Sequence, residues 1–298
     1  MKHAIRIAAL ALALSLPFGA PAPADPLEDA ATAYFSGDYA AAAKLIRPLA
    51  EQGNPRAQYY LGQMYRQGRG APQDPTVAAE WFRKSADHGL PNAQNSLADL
   101  YAYGDGVTQD YAQATKWYRL AAEQGFAKGQ RNLGFLYRTG QGVPEDDAEA
   151  ARWYRLAADQ GDAEAQVNLG NMYRVGQSLR KDSAEAVKWY RLAADQGFAK
   201  AQTMLGVMYQ LGEGATQDYA EAAKWFRKAA KQRFIFAQYD LGKMYAEGRG
   251  VEQDYAQAHM WFSLAGAIDE RSAVAAKLTP EQIAAAQKLA RDWKPTTP

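Results

Sequence analysis

The sequence lacks cysteine altogether, contains only three histidines and carries almost no net charge. Its 298 residues include 34 basic and 33 acidic side chains, which gives a formal net charge of +1. Without cysteine the chain has no disulfide framework, no thiolate metal site and no cysteine nucleophile. Balanced charge argues against a nucleic-acid-binding protein, which usually shows a strong basic excess.

The three histidines do not form a group in the sequence. His3 lies near the N-terminus, and His88 and His259 are far apart along the chain. Motifs of metalloproteases, serine hydrolases and phosphate-binding loops are also missing from the sequence. We therefore expect no catalytic residue, no metal site and no cofactor, and we predict that the protein is not an enzyme.

Residues 1–24 have the pattern of an export signal. Lys2 and Arg6 give a basic start, and the apolar run that follows is far shorter than the roughly 20 residues that span a bilayer. Small residues come next, and Ala22-Pro23-Ala24 has the form of a signal-peptidase site. This pattern predicts cleavage before Asp25 and a periplasmic protein with no membrane segment after cleavage. A retained N-terminal membrane anchor is the alternative interpretation.

One motif recurs six times at an interval of 36 residues. Its first copy reads Ala57-Gln58-x-x-Leu61-Gly62-x-Met64-Tyr65, and the later copies begin at residues 93, 129, 165, 201 and 237. A tryptophan keeps the same interval, at Trp81, Trp117, Trp153, Trp189, Trp225 and Trp261. Phased repeats of this length indicate stacked supersecondary units that share one continuous core. We interpret the tryptophan column as part of that core, packed against small residues one turn earlier.

Each repeat is predicted to contain two helices. Helix A of the first copy runs from Pro55 to Gln67, is capped by Asn54 and ends at a left-handed Gly68. Helix B begins at an aspartate, and in five copies Glu or Gln follows three residues later, which is typical of a capping box. These aspartates are Asp74, Asp110, Asp146, Asp182, Asp218 and Asp254. A metal or acid–base role is the alternative, but capping explains both their type and their spacing.

The repeated pattern resembles the Sel-1-like repeat family, which is related to tetratricopeptide repeats. The motifs that carry the resemblance are A-x-x-x-L-G-x-M-Y and G-x-G-V-x-x-D-Y-x-x-A-x-x-W-[YF]-x-x-A-A-x-x-G, over about Asp38 to Ala267. The resemblance implies an all-α fold, a right-handed superhelical solenoid of antiparallel helix pairs, and a role as an adaptor. It also points to a cysteine-rich branch linked to β-lactam binding and hydrolysis, whose disulfides this chain does not have.

We therefore divide the chain into a signal peptide, an N-terminal helical cap, six repeats and a C-terminal part with capping helices and a short tail. The signal peptide spans residues 1–24, the N-terminal cap spans 25–53, and the C-terminal part spans 268–298. The repeats, at 54–267, are 54–89, 90–125, 126–161, 162–197, 198–233 and 234–267.

Two departures from the repeat pattern stand out within these six copies. A basic loop occurs at Ser178 to Lys181, and an apolar run at Phe234 to Phe236 either packs against the next repeat or forms an exposed contact patch.

Comparison of the copies separates helix A into a repeated face and a variable face. By analogy with tetratricopeptide proteins, helix A lines a concave surface, so the variable face would form a binding groove. An ordinary solvated surface is the alternative. Asparagine amides can hydrogen-bond an extended peptide, and arginines can pair with carboxylates. The candidate binding residues are Tyr60, Arg131, Asn132, Phe135, Arg138, Asn168, Asn171 and Arg174.

These observations predict an exported, monomeric scaffold that binds a protein or peptide with an acidic segment and does not bind nucleic acid. Regulation of an envelope signalling or secretion system would suit such a scaffold. Two other functions stay open at this point, a cell-wall-directed or β-lactam-binding hydrolase and a passive structural spacer.

Overall fold

The computed structural model describes residues 26–296, which form sixteen α-helices and no strand. The helices are α1 (Pro26–Ser36), α2 (Tyr39–Glu51), α3 (Pro55–Gln67), α4 (Pro75–Asp87), α5 (Pro91–Tyr103), α6 (Tyr111–Glu123), α7 (Ala127–Thr139), α8 (Asp147–Asp159), α9 (Ala163–Val175), α10 (Ser183–Asp195), α11 (Ala199–Leu211), α12 (Tyr219–Lys231), α13 (Ile235–Glu247), α14 (Tyr255–Ala265), α15 (Ile268–Ala275) and α16 (Pro280–Asp292). Residues 1–24, the predicted signal peptide, lie outside the described residues. None of these sixteen helices combines the length and apolarity that a bilayer crossing requires.

The described residues fall into two compact units, and the boundary lies within α4 between Trp81 and Phe82. The first unit contains α1 to α3, whose shared core includes Ile46, Leu61 and Met64. In the second unit, α5 to α14 form five successive helix pairs, and α15 and α16 follow them. Each pair packs along its own length and against the pair that follows, as expected for an α/α repeat array.

The predicted ends of helix A are confirmed. Helix α3 runs from Pro55 to Gln67, the Asn54 side chain accepts the Ala57 N–H at 3.1 Å, and Gly68 has a φ of 66°. Five further helix A segments also end at a left-handed glycine. Where helix B normally ends at glycine, Arg233 takes the same left-handed conformation with a φ of 66°.

The aspartates cap helix B, but the capping-box prediction is wrong for them. Asp110 accepts N–H groups from Ala112 and Gln113 at 2.9 and 3.0 Å, as a capping aspartate should. Its own backbone N–H, which a capping box would give to Gln113, instead donates to the Tyr101 carbonyl at 2.9 Å. The same bond joins the other cap aspartates to the tyrosine that ends the A motif. Among the described residues, the full capping box occurs at Thr279 and Gln282, at the start of α16.

The small residue in the middle of helix A lets helix B approach closely. A Cβ atom on Gly170 would lie 2.7 Å from the ring of Tyr190, and one on Gly206 would lie 2.8 Å from Phe226. The facing side chain is therefore the aromatic residue that follows the tryptophan. A methyl group at these two glycines would overlap the ring. The second repeat has Ala98 in the same register, so the register requires a small residue and not glycine in every copy.

The tryptophans lie between repeats. Trp225, which is 4% exposed, packs into a cluster with Leu205 and Met208 of its own repeat and Tyr190 of the preceding one. Trp261 is placed likewise and meets Trp293 of the last helix edge to face, with ring centres 6.1 Å apart. The C-terminal end therefore covers the last repeat core, and the Thr296 N–H donates to the Lys231 carbonyl at 2.9 Å.

Two ladders of polar contacts, which the sequence analysis did not predict, also join neighbouring repeats. The buried Gln130 amide donates to the Ala122 carbonyl of the preceding helix B at 3.1 Å and accepts from Gln160 of the following one at 2.7 Å. Equivalent glutamines repeat this arrangement at 94, 166 and 202. In the first five repeats an arginine two residues after the tryptophan donates to the tyrosine of the next helix A, as Arg119 does to Tyr137 at 2.7 Å.

The apolar run after α12 is divided between the two predicted roles. Phe234 packs into the core formed by α12 to α14. Ile235 and Phe236 are 58% and 71% exposed. The run therefore contributes one side chain to the core and leaves two on the surface.

The caps give a direct test of the fold. Asp110→Ala should lower the free energy of unfolding by about 1 kcal/mol, because two N–H groups of α6 lose their acceptor. Gln113→Ala should change it by less than about 0.5 kcal/mol, because the Gln113 side chain does not return to the cap. Guanidinium unfolding followed by far-UV circular dichroism would compare the two variants. Equal losses would show that the capping box is formed after all.

Candidate functional site

The second unit contains a cleft of about 480 Å³ at the variable face of helix A. Its walls come from α5, α6, α7, α9 and the start of α11, so it extends over four successive repeats. The lining residues are Ala102, Tyr103, Tyr111, Tyr118, Arg131, Asn132, Phe135, Leu136, Gln141, Glu164, Val167, Asn168, Phe198 and Lys200. Four of the eight predicted binding residues are in this set. A cleft of this size can hold one or two side chains of a partner.

Aromatic side chains form much of the cleft wall. Tyr103 is 77% exposed and Phe135 is 43% exposed, although both are large enough to be favourable in a core. Tyr111 and Phe198 add further rings. Exposed aromatic rings around a concave site are typical of surfaces that bind another protein, because they bury much apolar area with little loss of side-chain freedom.

Arg131, a predicted ligand for an acidic partner, already has acidic partners in the protein. Its guanidinium lies 3.2 Å from Asp162 and 2.5 Å from Glu164, both at the start of α9. Asp162 also caps α9 by accepting the Ala165 N–H at 2.8 Å. The positive charge of Arg131 is therefore largely neutralised where it reaches the cleft.

A polar network lies beneath the cleft and holds Asn132 in place. The Tyr118 hydroxyl donates to the Asp99 carboxylate at 2.6 Å, and the Asn132 amide donates to the same carboxylate at 3.4 Å. Asn95 donates to Asp99 at 3.2 Å and accepts from Asn132 at 3.2 Å. Burial, and then the nearby Asp99 charge, raise the pKa of Tyr118 far above its usual range. The Tyr118 hydroxyl is therefore a permanent donor at any physiological pH.

Asn168 differs from the other asparagines because its amide is free to bind a partner. It lines the cleft and is half-buried, and its side chain makes no hydrogen bond to any residue between 26 and 296. Its amide can donate and accept at once, as an extended peptide backbone requires. Asn171, by contrast, accepts the Tyr190 hydroxyl at 2.7 Å.

The remaining predicted residues lie outside the cleft lining. Arg138 packs over the ring of Phe135, 5.5 Å from its centre. Burial raises the pKa of Tyr190, and the nearby Arg174 opposes this rise. Tyr60 belongs to the first unit, where its ring contacts Tyr34 and Tyr59.

Ten of the fourteen lining residues were missed by the sequence analysis, and five of these add a ring or a charge at the rim of the cleft: Tyr103, Tyr111, Phe198, Lys200 and Glu164. Tyr103 occupies a variable position of helix A, so the comparison of copies already contained the evidence for it. The other four lie in loops and first turns, where the repeat pattern does not show which side chains reach the groove. Lys200 is exposed and makes no ion pair with the described residues.

The histidines remain separate in the structure. His259 is buried in α14, and burial followed by the charge of Arg271 lowers its pKa. His88 is exposed, and its ring nitrogen lies 3.0 Å from the Lys84 carbonyl. Over residues 26–296 there is no group of three or more His, Asp or Glu side chains placed to hold a metal ion.

Comparison with known proteins gives a consistent picture. Six consecutive segments match the family model of the Sel1 repeat, at residues 55–90, 91–126, 127–162, 163–198, 199–234 and 235–267. A Sel1 repeat protein from Oxalobacter formigenes is 36% identical with a TM-score of 0.76, over 81% of this chain and 99% of that one. The antigen c5321 of uropathogenic Escherichia coli, which has an SLR fold, is 33% identical with a TM-score of 0.55, over 89% and 67%. No protein of curated function matches the chain. The solved structures confirm the predicted solenoid fold.

The network beneath the cleft can be tested with two tyrosines in one register of helix B. Tyr118→Phe should lower the free energy of unfolding by about 2 kcal/mol, because the charged Asp99 loses a donor. Tyr154→Phe is the matched control and should cost clearly less, because the buried Tyr154 hydroxyl has no hydrogen bond to a carboxylate and only the Arg138 guanidinium lies near it. Phe226 and Phe262 already occupy this register in later repeats. Chemical unfolding measures both variants, and equal effects would contradict the network.

Proposed function

This chain belongs to the Sel1-repeat family, and we propose that it is an exported scaffold that binds a protein or peptide in the cleft of its second to fifth repeats. Sel1-repeat proteins generally mediate interactions between proteins, and the scaffold is typically non-catalytic. The basic and apolar pattern of residues 1–24 supports export to the periplasm. A partner in envelope signalling or secretion would suit that location.

The observation that carries the proposal is the combination of an exposed aromatic wall with one free amide. Tyr103 and Phe135 are exposed aromatic residues in the lining of a cleft that one or two apolar side chains can enter. Asn168 of α9 also lines the cleft and can hydrogen-bond the backbone of the segment that carries these side chains. Because the lining comes from four successive repeats, an extended segment or an exposed loop of a folded partner would fit.

The charges modify the predicted preference for an acidic partner. Arg131 is paired with Asp162 and Glu164, so it does not attract a long acidic segment. Lys200 is the exposed cation of the cleft that makes no ion pair with the described residues. We therefore propose that the partner contributes an apolar or aromatic anchor side chain, with at most one acidic group near Lys200.

The test is selection of peptides from a random display library, followed by calorimetry with the protein and its variants. The selected peptides should share an apolar or aromatic residue. Tyr103→Ala with Phe135→Ala should weaken their binding at least about tenfold, the loss typical of a central anchor contact. Asn168→Ala should weaken binding by a few fold.

The control for this experiment is Arg174→Ala, since Arg174 is a predicted site residue outside the cleft lining. Arg138 is left unchanged because it packs over the ring of Phe135. The Arg174 variant should bind the selected peptides as tightly as the parent protein does. If it loses binding while the Tyr103 and Phe135 variant keeps it, the partner binds through Arg174 and the cleft assignment is wrong.

A further inference from the structure

The exposed face of helix B carries a repeated row of side chains that the core does not require. Leu120, Leu156 and Leu192 occupy one register of α6, α8 and α10, and they are 37%, 40% and 50% exposed. In α12 the same register holds Lys228. This helix has the same length as α6, α8 and α10, and it also buries its tryptophan, Trp225. Leucine at this register is therefore not needed for folding, yet three consecutive repeats have it.

Charged rows flank the leucines on both sides. Four residues before each leucine lies an exposed cation, and three residues after it lies an exposed acid. The cations are Lys116, Arg152 and Lys188, and the acids are Glu123, Asp159 and Asp195. One helical turn separates successive members on each helix, so the face shows a basic row, a leucine row and an acidic row.

The pattern stops at both ends of these three repeats. In α12 the three registers hold Lys224, Lys228 and Lys231, so both the leucine and the acid are replaced together. In α4 the register of the cation holds Glu80. Leucines and opposite charges thus occur together in the second, third and fourth repeats, as expected if they serve one interface.

We infer that this face binds a second copy of the same chain through a two-fold axis that runs along the leucine row. Such an axis places each leucine opposite its own copy. It also reverses the order of the flanking rows, so the basic row of one protomer lies opposite the acidic row of the other. Arg152 then faces the partner's Asp159, and Asp159 faces the partner's Arg152. An axis across the rows would instead put like charges together, which is unfavourable.

The charges are available for these contacts. Arg152 and Lys188 each form an ion pair with a glutamate three residues earlier, at 2.8 and 2.7 Å. These pairs are exposed, and such pairs contribute little, while guanidinium and ammonium groups have further donors. Asp159 and Asp195 make no ion pair with any of the described residues. The lysines of α12 would face each other across the axis, which limits the interface to three repeats.

The absence of cysteine allows a geometric test of this axis. Leu156→Cys should form a disulfide-linked dimer rapidly under mild oxidation, because the axis places residue 156 next to its own copy. Ala148→Cys is the matched control, because Ala148 is exposed on the same helix and lies roughly 80° from Leu156 around its axis. Residue 148 lies roughly 12 Å from residue 156 along α8, so its two copies would be about 24 Å apart and should not cross-link. Equal cross-linking of the two variants would overturn the proposal.

A charge exchange separates a second copy from any other occupant of this face. Asp159→Arg should abolish the rise of sedimentation coefficient with concentration, because it places two arginines opposite each other. Adding Arg152→Asp should restore it, since both partners change together in a symmetric dimer. Circular dichroism checks that each variant is folded. Failure of the double variant to recover would overturn the proposed axis and indicate a different contact between the copies. A parent protein that is monomeric at every concentration would overturn the proposal and indicate a different protein as the occupant.

Discussion

Each repeat has a large aromatic side chain that only its neighbour can cover, and the rest of the structure depends on this. Trp225 completes a core made partly of the preceding repeat, and Trp261 does the same one repeat later. Because no repeat buries its own tryptophan alone, a single repeat would be unstable and the array needs a cover at its end. Trp293 of α16 supplies that cover by contacting Trp261.

Stacking of this kind depends on the repeated positions and leaves the variable positions of helix A free to differ. One register of helix B shows the consequence. The buried tyrosines 118, 154 and 190 all face helix A, but what each hydroxyl meets depends on one variable residue there. Tyr118 donates to Asp99 and Tyr190 donates to Asn171. Tyr154 faces the register of Phe135, which offers its hydroxyl no acceptor, and only the Arg138 guanidinium lies near that hydroxyl. The third repeat thus gives up a buried hydrogen bond and gains an exposed aromatic ring in the cleft, which is the kind of exchange that a binding site produces.

The repeat fold could be predicted from the sequence because its determinants are local. Asn54, Pro55 and Gly68 fix the ends of a helix within about a dozen residues, and the structure has the same ends. The capping-box prediction was wrong for a reason that lies outside the local pattern. The backbone N–H of each cap aspartate donates to a tyrosine carbonyl nine residues earlier and not to a capping-box side chain. The prediction of the site was partly wrong for the same reason. The pairing of Arg131 with Asp162 joins residues 31 positions apart, and only the stacking of helices brings them together.

The cleft and the charged face of helix B belong to the same repeats but obey different constraints. Cleft residues change from one copy to the next, as would be expected if each matched a different part of a partner. The rows on helix B keep the leucine and the sign of each charge over three copies, as the proposed symmetric contact would require. A contact through helix B would leave the variable face of helix A free. A dimer of this kind would carry two clefts, and a partner with two anchor segments would bind both with a higher avidity than either cleft alone provides.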